Sequence, residues 1–205
     1  MGIPVLIIGE TGSGKTFSIK TFRPEDVTIF SVEKNRLPFR CAGYEVIKNA
    51  NYRSIFDGMR DSKKKSFVID DSQYLLVNEL FNRVSETGYQ KYTEMAVKFK
   101  SLVKAVNERL PDDVIVYFMH HPEYDSTSGK YKAKTVGKMI DQYWTVEGSF
   151  DIVLYAKTDG ENYVFQTKTD GSNTAKSPED MFPKEIANDL AMVDRSILQN
   201  MAHTV

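Results

Sequence analysis

The chain opens with VLIIGETGSGKTFSIK at residues 5–20: an apolar run, a glycine-rich loop ending in Lys-Thr, then an amphipathic pattern. Gly9-Glu10-Thr11-Gly12-Ser13-Gly14-Lys15-Thr16 fills every fixed position of G-x-x-x-x-G-K-[ST]. A triphosphate needs several backbone N–H groups converging on it, and glycine at 9, 12 and 14 leaves the backbone bare for that approach. Lys15 is expected to reach the β- and γ-phosphate oxygens, and the Thr16 hydroxyl to ligate Mg²⁺. Phe17 follows directly and closes the expected nucleotide-contacting run. The apolar stretch Ile3–Ile8 has strand length. From Gly14 toward Pro24 the chain can form a helix whose positive dipole end faces the phosphates.

At 205 residues the chain suits a single domain, 1–205, with 41% apolar and 27% charged residues. No apolar stretch approaches the roughly 20 residues that cross a bilayer, so no membrane association is expected. The sequence starts directly on a strand, which leaves no room for a signal peptide. Cys41 is the only cysteine, which excludes an intrachain disulfide or a cysteine metal cluster. A cytoplasmic protein is expected. Net charge is −1, but residues 147–205 carry −5, leaving +4 on residues 1–146. Such a distribution permits a local basic surface without a globally basic chain.

Further along, Val27–Val32 reads as a buried strand, Tyr44–Lys48 as a short one, and Tyr52–Arg60 as a helix. Ser66–Asp70 reads as a buried parallel strand ending in acid. Tyr74–Val84 and Tyr92–Leu110 have helical spacing; Met95, Ala96, Phe99, Leu102, Val103 and Val106 form one apolar stripe that belongs to the core. Val114–Met119 is another buried strand, followed by a polar loop over Pro122–Thr135 and a short helix over Val136–Tyr143. Asp151–Lys157 and Asn162–Lys168 flank Asp159-Gly160 as a hairpin. A terminal helix is expected over Pro183–Leu198. Strands alternating with helices, then a hairpin, predict an α/β fold: a mostly parallel sheet flanked by helices with a C-terminal antiparallel hairpin.

Phe67-Val68-Ile69-Asp70-Asp71-Ser72 supplies the acid that such a loop needs. Asp70, at a strand's carboxyl end, is the expected metal-side carboxylate, acting with Thr16 through the hydration shell. Asp71 either polarises water or caps the next helix with Ser72. Hydrolysis needs a group that orients the attacking water; Glu33, just past the second strand, is the favoured candidate and Asp71 the other. His120 and His121 end the strand Val114–Met119. His121 is the better candidate to touch the γ-phosphate, the alternative being a satisfied strand-end histidine. Lys130, Lys132, Lys134 and Lys138 decorate the following segment as solvated lysines, as DNA contacts, or as groups reaching a neighbouring subunit's site.

With these residues in place, the chain resembles a family of phage-encoded P-loop ATPases described as ATP-binding or AAA-type proteins. The resemblance covers nearly the whole length through IIGETGSGKT, FVIDDSQYLL, PDDVIVYFMHHPE, KAKTVGKMID, KSPEDMF and IANDL. That family is similar to the RecA-like cores phages use for single-strand annealing recombination, where the catalytic glutamate lies at the place of Glu33. The resemblance implies ATP and Mg²⁺, a homo-oligomer with nucleotide between subunits, single-stranded DNA, and phage or host replication or recombination proteins as partners in the host cytoplasm. It marks Lys15 and Thr16 as Walker A, Asp70 as Walker B and His121 as sensor, with Lys134 and Lys138 in the matching lysine segment. His120 stands where a smaller residue is expected.

Two other classes fit a phosphate-binding loop in a chain of this length. A nucleoside or nucleotide kinase usually carries an arginine-rich lid, whereas residues 120–140 hold lysines and no arginine. A nucleotide-gated loader or scaffold for a replication protein would use the acidic C-terminal quarter for docking.

Overall fold

The computed structural model describes residues 1–33, 36–136 and 144–202. Its centre is an eight-stranded sheet. The strands are β1 (Ile3–Gly9), β2 (Val27–Ser31), β3 (Glu45–Lys48), β4 (Ser66–Asp70), β5 (Ile115–His120), β8 (Ile152–Thr158), β9 (Tyr163–Gln166) and β10 (Glu185–Ala187), in the spatial order β10-β9-β8-β1-β5-β4-β2-β3. All pairings from β3 across to β8 are parallel, and β8-β9 and β9-β10 are antiparallel. The central strands are buried on both faces, which explains their unbroken apolar runs.

Helices cover both faces. On one, α1 (Tyr52–Asp61), α2 (Tyr74–Asn82) and α3 (Gln90–Arg109) bury Ile55, Leu76, Met95, Phe99 and Val103 against Leu6, Phe67 and Phe118. Asn51 starts α1 with a reciprocal cap: Ser54 N–H donates to Asn51 Oδ1 and Asn51 N–H donates to Ser54 Oγ. On the other face, α4 (Leu190–Ala202) packs against residues 16–21 and buries Leu190, Val193 and Ile197 beside Ile7, Ile19 and Tyr117.

Three expected elements differ. The segment after β5 is a two-stranded hairpin, β6 (Pro122–Asp125) and β7 (Lys130–Ala133), where a polar loop was expected. Cross-strand pairs stabilise it, Tyr124 opposite Tyr131 and Glu123 opposite Lys132; its polar composition conceals the strand pattern. The expected terminal helix starts later, because Glu185–Ala187 pairs with β9 as an edge strand. Asp189 then begins the helix by accepting from Met192 N–H at 2.8 Å. Finally, the expected helix after the glycine loop is a six-residue 3₁₀ helix, Thr16–Thr21. The dipole contribution expected from a full α-helix is therefore not available there. The expected helix over Val136–Tyr143 lies, beyond Val136, outside the described residues.

The topology positions a site. From β1 the chain crosses to β2, β3, β4 and β5 on one side, then returns to β8 on the other. Ile8 is in register with His120, and Ser31 with Asp70, so the carboxyl ends of β1, β2, β4 and β5 meet along one edge. A crevice at such a reversal point is where open α/β sheets bind ligands.

Candidate nucleotide site

The loop after β1 turns over this edge with φ +82° at Gly12 and +87° at Gly14, angles that L side chains rarely adopt. Gly9 is dictated by packing instead. A Cβ there would lie 2.7 Å from the Ala156 carbonyl oxygen of β8. Gly14 meets both constraints, since a Cβ would also lie 2.7 Å from the Tyr163 ring.

Lys15 folds back across this loop. Its Nζ donates to the Gly9 carbonyl at 2.5 Å and the Glu10 carbonyl at 3.0 Å, and the residue is only 6% exposed. Burial lowers its pKa to about 8, against the opposing pull of Asp71, Asp70 and Glu10. Beside it, Thr16 Oγ1 donates to Asp70 Oδ1 at 2.8 Å. Asp70, 5% exposed at the end of β4, is raised to about 6 by burial and by its neighbour Asp71. The Thr16 hydrogen bond and the charges of Lys15 and His121 work in the other direction.

Asp71 takes a left-handed conformation, φ +60°, immediately after β4. That turn points the chain back across β5, where Asp71 Oδ1 lies 3.3 Å from His121 Nε2. Gln73 holds the N-cap position of α2, and its side chain makes no capping hydrogen bond. Ser72 faces β5: its N–H donates to the Met119 carbonyl at 2.8 Å, and its hydroxyl lies 2.9 Å from His120 Nδ1. His120 Nε2 lies 2.7 Å from the Lys134 carbonyl. A carbonyl only accepts, so Nε2 carries the proton and Nδ1 is an acceptor; the Ser72 hydroxyl also lies 2.9 Å from the Met119 carbonyl, so its one proton is shared between that oxygen and Nδ1. Burial lowers the His120 pKa to about 4, keeping it neutral. The residue that departs from the expected pattern is thus a fully enclosed bridge between β4 and the β6–β7 hairpin.

A cavity of about 610 Å³ spans this edge, lined by Glu10 to Phe17 together with Asp70, Asp71 and His121. Four further residues line it that the sequence did not single out: Arg36, Pro38, Tyr74 and Tyr163. The Tyr163 ring centroid is 5.8 Å from that of Phe17, and Lys20 Nζ sits 3.5 Å over Phe17. No spacing rule links Tyr163 to residues 9–17; the β8–β9 turn carries it there.

Glu33 is placed elsewhere. Its carboxylate accepts from Asn78 Nδ2 at 3.1 Å and faces a separate cavity of about 490 Å³ between β2, α1 and α2. The structure does not bring it together with Lys15, Thr16 and Asp70. Lys130, Lys132 and Lys134 lie on or beside β7 and do not line the nucleotide-sized cavity. Lys132 Nζ is 3.6 Å from Glu123 Oε1. Lys138 lies outside the described residues.

The donor set fits a triphosphate with Mg²⁺. Lys15, a bare glycine backbone and a hydroxyl beside a buried carboxylate are what phosphate oxygens and a hard cation need. Among the described residues no group of three ligating side chains forms a self-sufficient metal centre.

No protein-family model and no curated protein matches the sequence. Among solved structures the fold is similar to that of a DnaB-like replicative helicase, described together with its interactions with primase. The TM-score is 0.51 at 12% identity, over 86% of this chain and 54% of that one. The chain thus has an α/β RecA-like fold and spans about half the length of that helicase chain.

Proposed function

We propose that this chain is a Mg²⁺-dependent ATPase of RecA-like type that works in phage DNA recombination or replication, as a homo-oligomer engaging single-stranded DNA. The observation that carries the nucleotide reading is the Thr16–Asp70 hydrogen bond of 2.8 Å, made beside the buried amine of Lys15 in one cavity. The whole-length resemblance to phage P-loop ATPases supports the biological setting, and the helicase-like fold agrees with a role in DNA transactions.

In this reading Thr16 and Asp70 hold Mg²⁺, which supplies charge neutralisation on the phosphate oxygens when bound. Two of the three ammonium donors of Lys15 are used on loop carbonyls, and the amine exchanges these for β- and γ-phosphate oxygens. Asp71, paired with His121 at the cavity wall, orients the attacking water and takes up its proton as the β–γ phosphoanhydride P–O bond breaks. His121, which lines the same cavity, is read as the sensor that registers loss of the γ-phosphate. Tyr163 and Phe17 form the aromatic wall against which a nucleobase packs.

The decisive experiment is ATP turnover with and without single-stranded DNA, with the complex sized in ATP. Mg²⁺-dependent turnover that Lys15→Ala abolishes is expected, with a larger species in ATP. A monomer indifferent to DNA that transfers phosphate to a nucleoside would overturn the proposal.

A further inference from the structure

The β5 ladders stop just before the histidine that lines the cavity. Ile8 pairs with His120 as the last β1 partner, and Ile69 with Phe118 as the last on β4. His121 follows both, so its backbone N–H and carbonyl need partners from outside the sheet. The N–H donates to the side-chain Oε1 of Gln73 at 3.2 Å, and the carbonyl accepts from Lys134 N–H at 2.9 Å. The ring is held separately, with Nε2 3.3 Å from Asp71 Oδ1. Asp71 and His121 line the nucleotide-sized cavity, whereas Gln73 does not.

Gln73 is itself fixed. It is only 4% exposed, and its carbonyl accepts from Leu76 N–H at 3.0 Å and Val77 N–H at 3.2 Å at the start of α2. Leu75 and Leu76, next along the chain, are buried in the core. A glutamine side chain usually stays in water, and one enclosed here needs partners for its polar atoms. Its oxygen is spent on the one N–H that the strand ladder leaves over. Two residues earlier, the left-handed turn at Asp71, φ +60°, directs a carboxylate at the His121 ring. One short turn, Asp71 to Gln73, therefore grips His121 twice, by the imidazole and by the main chain.

We infer that Gln73 is a positioning residue of this site: its carboxamide fixes the main chain at His121 and so keeps the imidazole against Asp71. This deepens the proposed function and rests on it for the reaction that the pair serves. Gln73 acts through His121 and touches neither nucleotide nor water. A misplacement of about 1 Å in reacting groups costs up to about 100-fold in rate. Lys15, Thr16 and the glycine backbone hold the phosphates without His121, so the loss falls on kcat and leaves KM alone.

The test is steady-state ATP hydrolysis by the full chain, binding of a fluorescent ATP analogue, and NMR of the His121 backbone amide and ring at one fixed pH. Gln73→Met keeps the length and removes the amide oxygen. It should lower kcat about tenfold or more, with KM and analogue affinity within about twofold. The His121 amide should exchange faster, and its ring resonances should shift. Gln73→Glu keeps an oxygen at the same reach, ionised or protonated, and should retain more turnover than Gln73→Met. If Gln73→Met does not fold, Gln73→Asn, whose amide ends one methylene short of the N–H, carries the same expectation. Unchanged kcat, a KM that rises in step with the fall in kcat, or unmoved His121 ring resonances overturns the inference. A parent chain that binds the analogue without hydrolysing ATP would overturn the ATPase reading instead, and the His121 resonances would still decide whether Gln73 positions the ring.

Discussion

The buried imidazole of His120 joins the Ser72 hydroxyl to the Lys134 carbonyl, at 2.9 Å and 2.7 Å. Ser72 follows the acidic end of β4, and Lys134 roots the β6–β7 hairpin, so one neutral side chain connects the nucleotide edge to that hairpin. Its protonation state has a consequence for stability. The folded pKa, about 4, lies below the ordinary histidine value, so the unfolded chain binds the extra proton first. Stability from this group is present at neutral pH and is lost as pH falls from about 6.5 to 4, by at most about 3 kcal/mol. Urea unfolding of the parent chain and of His120→Gln across this range should show a steeper acid loss in the parent. Parallel curves would mean that the imidazole is not held neutral.

Asp70 has the opposite sign. Its carboxyl is raised to about 6 by burial and by Asp71, so ionising it in the folded state costs stability as pH rises from about 4 to 6. Asp70→Asn removes that cost while retaining an oxygen to accept from Thr16. The variant is expected to gain about 1–2 kcal/mol at pH 7 and to lose Mg²⁺-dependent turnover. A less stable Asp70→Asn, measured by urea unfolding, would contradict the assignment.

The water-orienting role separates two carboxylates. Glu33 bonds Asn78 in its own cavity, whereas Asp71 lines the nucleotide-sized cavity beside His121. Asp71→Asn preserves size and tolerates φ +60°; single-turnover ATP hydrolysis should fall at least about 100-fold. Glu33→Gln should stay within about threefold, given its distance from the chemistry. The reverse ordering would restore Glu33 to the role that sequence position alone gave it.

What the residues revealed unaided was local. The glycine loop, the strand ending in Asp70 and the apolar stripe of α3 each declare themselves within about ten residues, because phosphate geometry and helical period act over that range. The β6–β7 hairpin was hidden because Glu123, Asp125, Lys130 and Lys132 stabilise strands across the pair rather than along the chain. The β10 strand was concealed by helix-compatible residues running into α4. Tyr163 and Arg36 enter the cavity through the fold's crossings, and Glu33 leaves it by the path of the chain after β2. None of these placements has a sequence period to announce it.

Glu147 offers a test of how the hairpin is anchored. Its Oε1 accepts from Ala133 N–H at 2.6 Å and from Thr174 Oγ1 at 3.2 Å, in a buried setting. Glu147→Ala leaves a buried N–H without its acceptor, a loss of about 1–3 kcal/mol. Glu147→Gln keeps an oxygen and should lose less. Hydrogen exchange at Ala133 should accelerate in both, more in the alanine variant; unchanged protection would show that β7 is held by other bonds.

The contact between Gly14 and Tyr163 gives a prediction in which loop geometry and base binding separate. A methyl at Gly14 would meet φ +87° and the Tyr163 ring at 2.7 Å together, so Gly14→Ala must displace the loop or the ring. Truncating the ring in the double variant Gly14→Ala/Tyr163→Ala relieves the clash but not the backbone strain. If Tyr163 supplies stacking, Tyr163→Ala alone should weaken a fluorescent ATP analogue about tenfold and leave inorganic triphosphate binding unchanged, since stacking contributes about 1–1.5 kcal/mol. Gly14→Ala should weaken both ligands, because the backbone N–H groups are displaced. The double variant should bind triphosphate between the two single variants, restored only for the part of the loss that came from the clash. Equal weakening of triphosphate and nucleotide in Tyr163→Ala would assign the ring to holding the loop in shape rather than to the base.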